Sequence, residues 1–201
     1  MPPLGAPQGL KLLASTDGVR AWPGGFGFAK VGANYGPSLM ANGEARARGY
    51  DQVLWLLNGQ VTEAGASNFF VMWKSREGKT QLVTAPLGDK IILDGVTRRS
   101  ILQLTRERLS HGRTGLDPVE IVERQFTMED VVQAVNEGRI LEAFAAGTAV
   151  SLIITTFQAI LTLNISISCV LSPSFITKTK ISRSLCPKVI VDLTLLWSRA
   201  G

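Results

Sequence analysis

Between residues 52 and 84 the chain runs through short apolar, partly β-branched stretches separated by polar turns, the pattern of paired strands. Gln52–Val53–Leu54–Trp55–Leu56–Leu57 has strand length and is followed by Asn58–Gly59, a dipeptide suited to a tight hairpin. The spacing predicts an antiparallel return over 60–62, a strand over 68–73, a polar turn over 75–79 and a further strand over 81–84. Shorter strand segments are predicted at 11–14 and 19–22, and again at 119–122 and 139–144. Helical spacing appears over 97–109, where Ile101, Leu102, Thr105 and Leu109 fall on one face. A second helix begins at Met128, with Thr127 and Asp130 as its capping pair, core positions at Met128, Val131, Val132 and Val135, and Gly138 closing it. A helix over 38–48 ends near Gly49. Hairpins mixed with helices predict an α/β (mixed α+β) sheet domain.

Composition divides the chain into three parts. Residues 1–17 open with a Pro/Gly-rich linker or remnant, 18–150 carry the predicted domain, and 151–201 form a tail of different character. The whole has 201 residues, 45% of them apolar, enough for a substantial core. Its net charge of +5 belongs mostly to the tail, where Lys178, Lys180, Arg183, Lys188 and Arg199 face only Asp192. No basic run with interleaved aromatics is present, so nucleic-acid binding is not predicted. Residues 151–168 are about as long as a membrane span, but Gln158, Asn164 and repeated Ser and Thr make a poor one, and the β-branched residues favour strand. Both cysteines, Cys169 and Cys186, lie in the tail, and the single histidine, His111, sits in a polar loop. Neither a metal site nor a disulfide framework is predicted, which suits a reducing compartment. The first ten residues carry no targeting pattern, so the expected location is the cytoplasm, with a mitochondrial one open if the true N-terminus lies further upstream.

Candidate chemistry begins at Trp22–Pro37, where five glycines and two prolines surround Lys30. Phe26, Phe28, Ala29 and Val31 offer that lysine no carboxylate. Such apolar surroundings would strip solvation from the amine, lower its pKa and make it a nucleophile toward a carbonyl. On the residues alone a solvated loop lysine is the commoner outcome.

The string Phe28–Ala29–Lys30–Val31–Gly32–Ala33–Asn34–Tyr35–Gly36–Pro37 resembles the Schiff-base segment of the branched-chain aminotransferases, pyridoxal-phosphate enzymes of fold type IV. The likeness continues, in order, through Val53–Leu54–Trp55–Leu56, Thr62–Glu63–Ala64–Gly65–Ala66–Ser67–Asn68–Phe69, Leu93–Asp94–Gly95–Val96–Thr97–Arg98 and Ala146–Gly147–Thr148–Ala149. It covers about 18–150 and implies the large domain of such an enzyme, here incomplete.

The resemblance implies pyridoxal 5′-phosphate as cofactor, held covalently by Lys30, which also moves the substrate proton. It implies Glu63 as partner of the pyridine nitrogen and Tyr35 as donor to the ring 3′ oxygen. Leu93, Gly95, Val96 and Thr97 become one phosphate loop, Gly147 and Thr148 the second, and the Ala149 N–H a contact for the substrate carboxylate. Without the resemblance, Glu63 reads as a capping or solvated residue and Gly147–Thr148–Ala149 as an ordinary small-residue turn. Arg98 and Arg99 read as the exposed first turn of a helix, outside the site.

The implied reaction moves the amino group of leucine, isoleucine or valine to 2-oxoglutarate, giving branched-chain 2-oxo acids and glutamate. D-Amino-acid transaminases and aminodeoxychorismate lyases share the lysine and glutamate. The Ala33–Pro37 and Val53–Leu56 strings speak for the branched-chain group. The family is homodimeric and carries a smaller N-terminal domain before the lysine, for which the residues ahead of Lys30 leave no room. That gap, and the departure after Ala149, suggest a catalytically inactive fragment or a gene-model artefact as the alternative.

Overall fold

A computed structural model describes residues 9–15, 17–111, 117–147, 150–155 and 164–168. Nine strands are described: β1 (Gly9–Ser15), β2 (Gln52–Leu57), β3 (Gln60–Ala64), β4 (Ser67–Lys74), β5 (Thr80–Thr84), β6 (Val119–Glu123), β7 (Ile140–Gly147), β8 (Val150–Thr155) and β9 (Asn164–Ser168). Three α-helices accompany them: α1 (Gly36–Ala47), α2 (Val96–Arg108) and α3 (Met128–Asn136). This is the mixed α/β architecture expected from the pattern.

The strands join in one sheet with the order β6-β5-β4-β3-β2-β1-β9, while β7 pairs with β4 and with β8. The Asn58–Gly59 turn is present, with both residues at positive φ, and joins β2 to an antiparallel β3. β1, which the sequence places in the segment ahead of the domain, lies inside the sheet, parallel to β2 and antiparallel to β9. Strand β4 is the hub. Its start pairs with β3 through Glu63↔Asn68, its length pairs with β5, and β7 runs antiparallel beside it from Asn68↔Ala146 to Trp73↔Ile140.

A strand flanked on both edges and covered on both faces must be apolar throughout. Accordingly Phe69, Val71 and Trp73 enter one core with α3, while Phe70 and Met72 enter another with α2. Helix α1 covers β2 through Ala45, Val53 and Trp55. The predicted face of α2 is buried at Ile101, Leu102, Thr105 and Leu109. Helix α3 has the expected capping box: Asp130 N–H donates to Thr127 Oγ1 at 3.0 Å and Thr127 N–H to Asp130 Oδ2 at 2.8 Å.

Three expectations are corrected. No strand forms at 19–22, because Arg20 and Ala21 are drawn inward beside Ile91 and Ile92 instead of pairing with a neighbouring strand. Val132 is 40% exposed, and Ala134 takes the core position of α3 in its place. Arg98 is not an exposed first-turn residue. It is 1% exposed, donating to Ala85 O at 2.9 Å and pairing with Glu123 at 2.8 Å, whereas Arg99 is exposed and pairs with Asp94. Among the described residues no helix is long and apolar enough to cross a membrane.

Candidate active site

Glu63 is the centre of the site. It lies near the end of β3, just before the Gly65–Ala66 turn that reverses the chain into β4, and is 1% exposed. A carboxylate so deep needs donors. Its Oε1 accepts from Asn68 Nδ2 at 3.0 Å and from the Leu93 N–H at 3.0 Å. Its Oε2 stands 2.8 Å from Arg20 Nη1, but the approach is ionic, not a directed hydrogen bond, and leaves Oε2 a buried acceptor without a hydrogen-bond donor. Burial pushes the carboxyl up to about 7, against the opposing pull of the Arg20 guanidinium and the Leu93 N–H.

Two loops flank this carboxylate. The first, over 91–95, is tied to β4 by Asn68, whose Nδ2 also donates to Leu93 O at 2.8 Å. A Cβ at Gly95 would collide with Asn68 Oδ1, so only glycine lets the loop lie this close. Gly95 is the N-cap of α2 and has no side chain to cap it, and the first turn carries no acid. The helix therefore opens with uncapped N–H groups, a favourable environment for an anion. The end of β7 closes in beside it: a Cβ at Gly147 would come within 2.8 Å of Ser67 Oγ.

The second loop carries the lysine. Asn34 holds it in shape, donating from Nδ2 to Phe26 O at 2.7 Å and to Ala29 O at 2.9 Å. Gly27 is its buried point, packed so tightly that a Cβ would sit 2.6 Å from Ala21 Cβ and 2.7 Å from Ile91 Cα. Arg20 joins the two loops, with Nη1 3.5 Å from Gly27 O and 3.3 Å from Ile91 O.

The expected residues divide accordingly. Glu63, Leu93, Gly95 and Gly147 converge at the ends of β3 and β7 and the start of β4. Val96 and Thr97 begin α2 beside them, Val96 being 66% exposed. Tyr35 is half-buried next to α1. Thr148 and Ala149 lie outside the described residues.

Lys30 departs from expectation. It is exposed and takes part in no ion pair or side-chain hydrogen bond among the described residues, and Phe26 and Phe28 are themselves 61% and 48% exposed. The aromatic neighbours do not desolvate it, because the loop is anchored through Gly27 and backbone carbonyls and leaves its side chains open to water.

Sequence reading missed Arg20 and the structural part of Asn68. The available signal was an arginine inside the apolar run Val19–Arg20–Ala21–Trp22, which must find a carboxylate if that run is buried. Two clefts, of about 780 and 360 Å³, lie at the opposite end of β4 and β5, around Lys74, Thr80 and Trp73, away from Glu63.

A buried acid thus lies between the glycine-rich loop that carries Lys30, joined to it through Arg20, and the uncapped start of α2, a helix end that favours an anion. The model of the amino-transferase class IV family matches residues 3–152. The chain is 48% identical over 140 residues to a branched-chain-amino-acid aminotransferase of Dictyostelium discoideum, covering 70% of this chain and 35% of that protein. It is 48% identical over 147 residues to the cytosolic branched-chain-amino-acid aminotransferase of Saccharomyces cerevisiae, covering 71% and 37%. Among solved structures, a branched-chain amino acid aminotransferase from Thermobaculum terrenum (M4 mutant) superposes with a TM-score of 0.60 at 27% identity, over 81% of this chain and 47% of that one. A branched-chain aminotransferase from Thermoproteus uzoniensis, solved with norvaline, gives 0.55 at 30% identity over 75% and 45%. The chain belongs to the class IV aminotransferases, and spans about a third of the length of the curated relatives it matches.

Proposed function

We propose that this chain carries the cofactor-holding part of a branched-chain aminotransferase, which exchanges the amino group of leucine, isoleucine or valine with 2-oxoglutarate. The observation that carries the reading is Glu63 Oε2, a buried carboxylate oxygen without a hydrogen-bond donor, between the lysine loop and the start of α2. Pyridoxal phosphate fits these residues. Its ring N–H would supply the donor that Oε2 lacks, and its phosphate suits the uncapped first turn of α2, where Gly95 leaves the backbone open.

When bound, the cofactor supplies a carbonyl and an electron sink. The protein residues do the rest. Lys30 Nζ is the amine that would anchor the carbonyl and, once released, takes and returns the proton on the substrate α-carbon. Glu63 would keep the ring nitrogen protonated. Gly95, Val96, Thr97, Gly147 and Thr148 would hold the phosphate, and Tyr35 would donate to the ring oxygen. The substrate class rests on relatives 42–48% identical whose names specify branched-chain amino acids.

The test is to incubate the purified chain with pyridoxal phosphate, reduce with borohydride and map the adduct by peptide mass spectrometry. The expected result is one pyridoxyl adduct on Lys30, absent in Lys30→Ala. Modification spread over Lys90 and other lysines, or none at all, overturns the reading for this chain.

A further inference from the structure

We propose that Arg20 is a positioning residue that locks the lysine loop and the 91–95 loop to the Glu63 carboxylate, so that both loops move as one unit. The inference deepens the reading above and rests on it for the cofactor part only.

Four observations carry it. One nitrogen, Arg20 Nη1, reaches three separate segments: Glu63 Oε2 at 2.8 Å, Ile91 O at 3.3 Å and Gly27 O at 3.5 Å. Arg20 is 3% exposed, so these contacts face no competition from water. The loops also touch directly where Gly27 packs against Ile91, a point at which no side chain fits, and more loosely where Lys90 Nζ lies 5.8 Å from the Phe28 ring centre at the exposed rim. Finally, the only other cation acting on Glu63 among the described residues is Arg98, which is already engaged by Ala85 O and Glu123. The remaining partners of Glu63, Asn68 Nδ2 and Leu93 N–H, are neutral.

Arg20 therefore has two separable duties. As a tether it fixes the spacing between the segment that carries Lys30 and the segment that leads into Gly95. As a charge it opposes the effect of burial and favours the ionised Glu63 that would accept the ring N–H. Removing a buried ion-pair partner leaves the other charge exposed to its full desolvation cost, and a carboxyl in that position takes up a proton instead.

The experiment compares wild type, Arg20→Met and Arg20→Lys in the full chain by amide hydrogen exchange without cofactor, and by pyridoxal phosphate binding as a function of pH. For Arg20→Met, exchange over both 24–31 and 91–95 should rise together by about tenfold or more, with α3 unchanged. Its cofactor affinity should fall about tenfold, and the acid limb of the binding profile should move to higher pH. Arg20→Lys keeps the charge and loses the reach, so its acid limb should stay near wild type while both loops still exchange faster.

Unchanged exchange in the two loops, or a rise spread equally over α3, overturns the proposal. So does an acid limb that shifts equally in Met and Lys variants. If Arg20→Met does not fold, the Arg20→Lys exchange pattern decides alone. Failure of the wild-type chain to bind cofactor would overturn the functional reading, whereas the exchange comparison judges the tether independently.

Discussion

At Gly95 a single methyl group decides whether two elements can meet. The added carbon would occupy the space of Asn68 Oδ1, and Asn68 is fixed by bonds to Glu63 and Leu93. Gly95→Ala should therefore cost about 1–3 kcal/mol in denaturant unfolding, typical of overpacking, and weaken pyridoxal phosphate binding at least about tenfold. Gly88→Ala, where an added carbon meets nothing within 4 Å, should stay within about 0.5 kcal/mol of wild type. At this scale the sequence was informative for residues inside contiguous strings. Glu63 and the glycine before α2 could be named because their strings are family-like. Arg20 stands in an apolar run that hints at burial, but its partners could not be named, because its bond to Ile91 spans 71 residues. Arg98 misled for the same reason: two adjacent arginines look alike in a string, yet one lies under the sheet edge bound to Glu123 and the other lies in water.

Among the elements, the start of α3 is the clearest case of local chemistry fixing a boundary. Thr127 and Asp130 each satisfy the other's backbone N–H. Thr127→Ala should lower stability by about 1 kcal/mol and Thr127→Ser much less, measured by thermal or denaturant melts. Helix α2 was equally legible because its apolar face repeats at helical spacing, and Ile101, Leu102, Thr105 and Leu109 are all buried. The 19–22 segment was not. It has strand-forming residues, but strand propensity needs a partner edge, and here Ala21 joins the small cluster of Ala85, Ile91 and Ile92 while Val19 and Trp22 stay exposed. Val132 fits a helical stripe in α3, but the face turned to the core carries Met128, Val131 and Ala134, and Val132 points to solvent.

For the whole molecule, the sheet's branching at β4 is beyond a reading of single stretches, since β7 returns to β4 about seventy residues later. What could be read was a strand over 68–73; its cover on both faces, which accounts for the unbroken apolar run 69–73, comes from helices far along the chain. The buried acids give the fold a pH dependence. Glu63 and Glu142 are each pushed up to about 7 by burial, against an ordinary value of 4.5. Between those values the folded chain holds protons on these two groups that the unfolded chain has released, so their contribution to stability is full below about pH 4.5 and is lost as pH rises toward 7. The slope should reach about 1.4 kcal/mol per pH unit for each group. Unfolding midpoints of the apoprotein should be higher at pH 5 than at pH 7.5, and Glu63→Gln with Glu142→Gln should flatten the difference. The open lysine loop has one more consequence. Trp22 is 53% exposed while Trp55 and Trp73 are 1% and 3% exposed. The indole at the start of the lysine loop thus emits from water and the two others from the interior, so iodide quenching in a Trp197→Phe background would follow that loop alone, giving the chain an intrinsic optical gauge of anything that settles onto it.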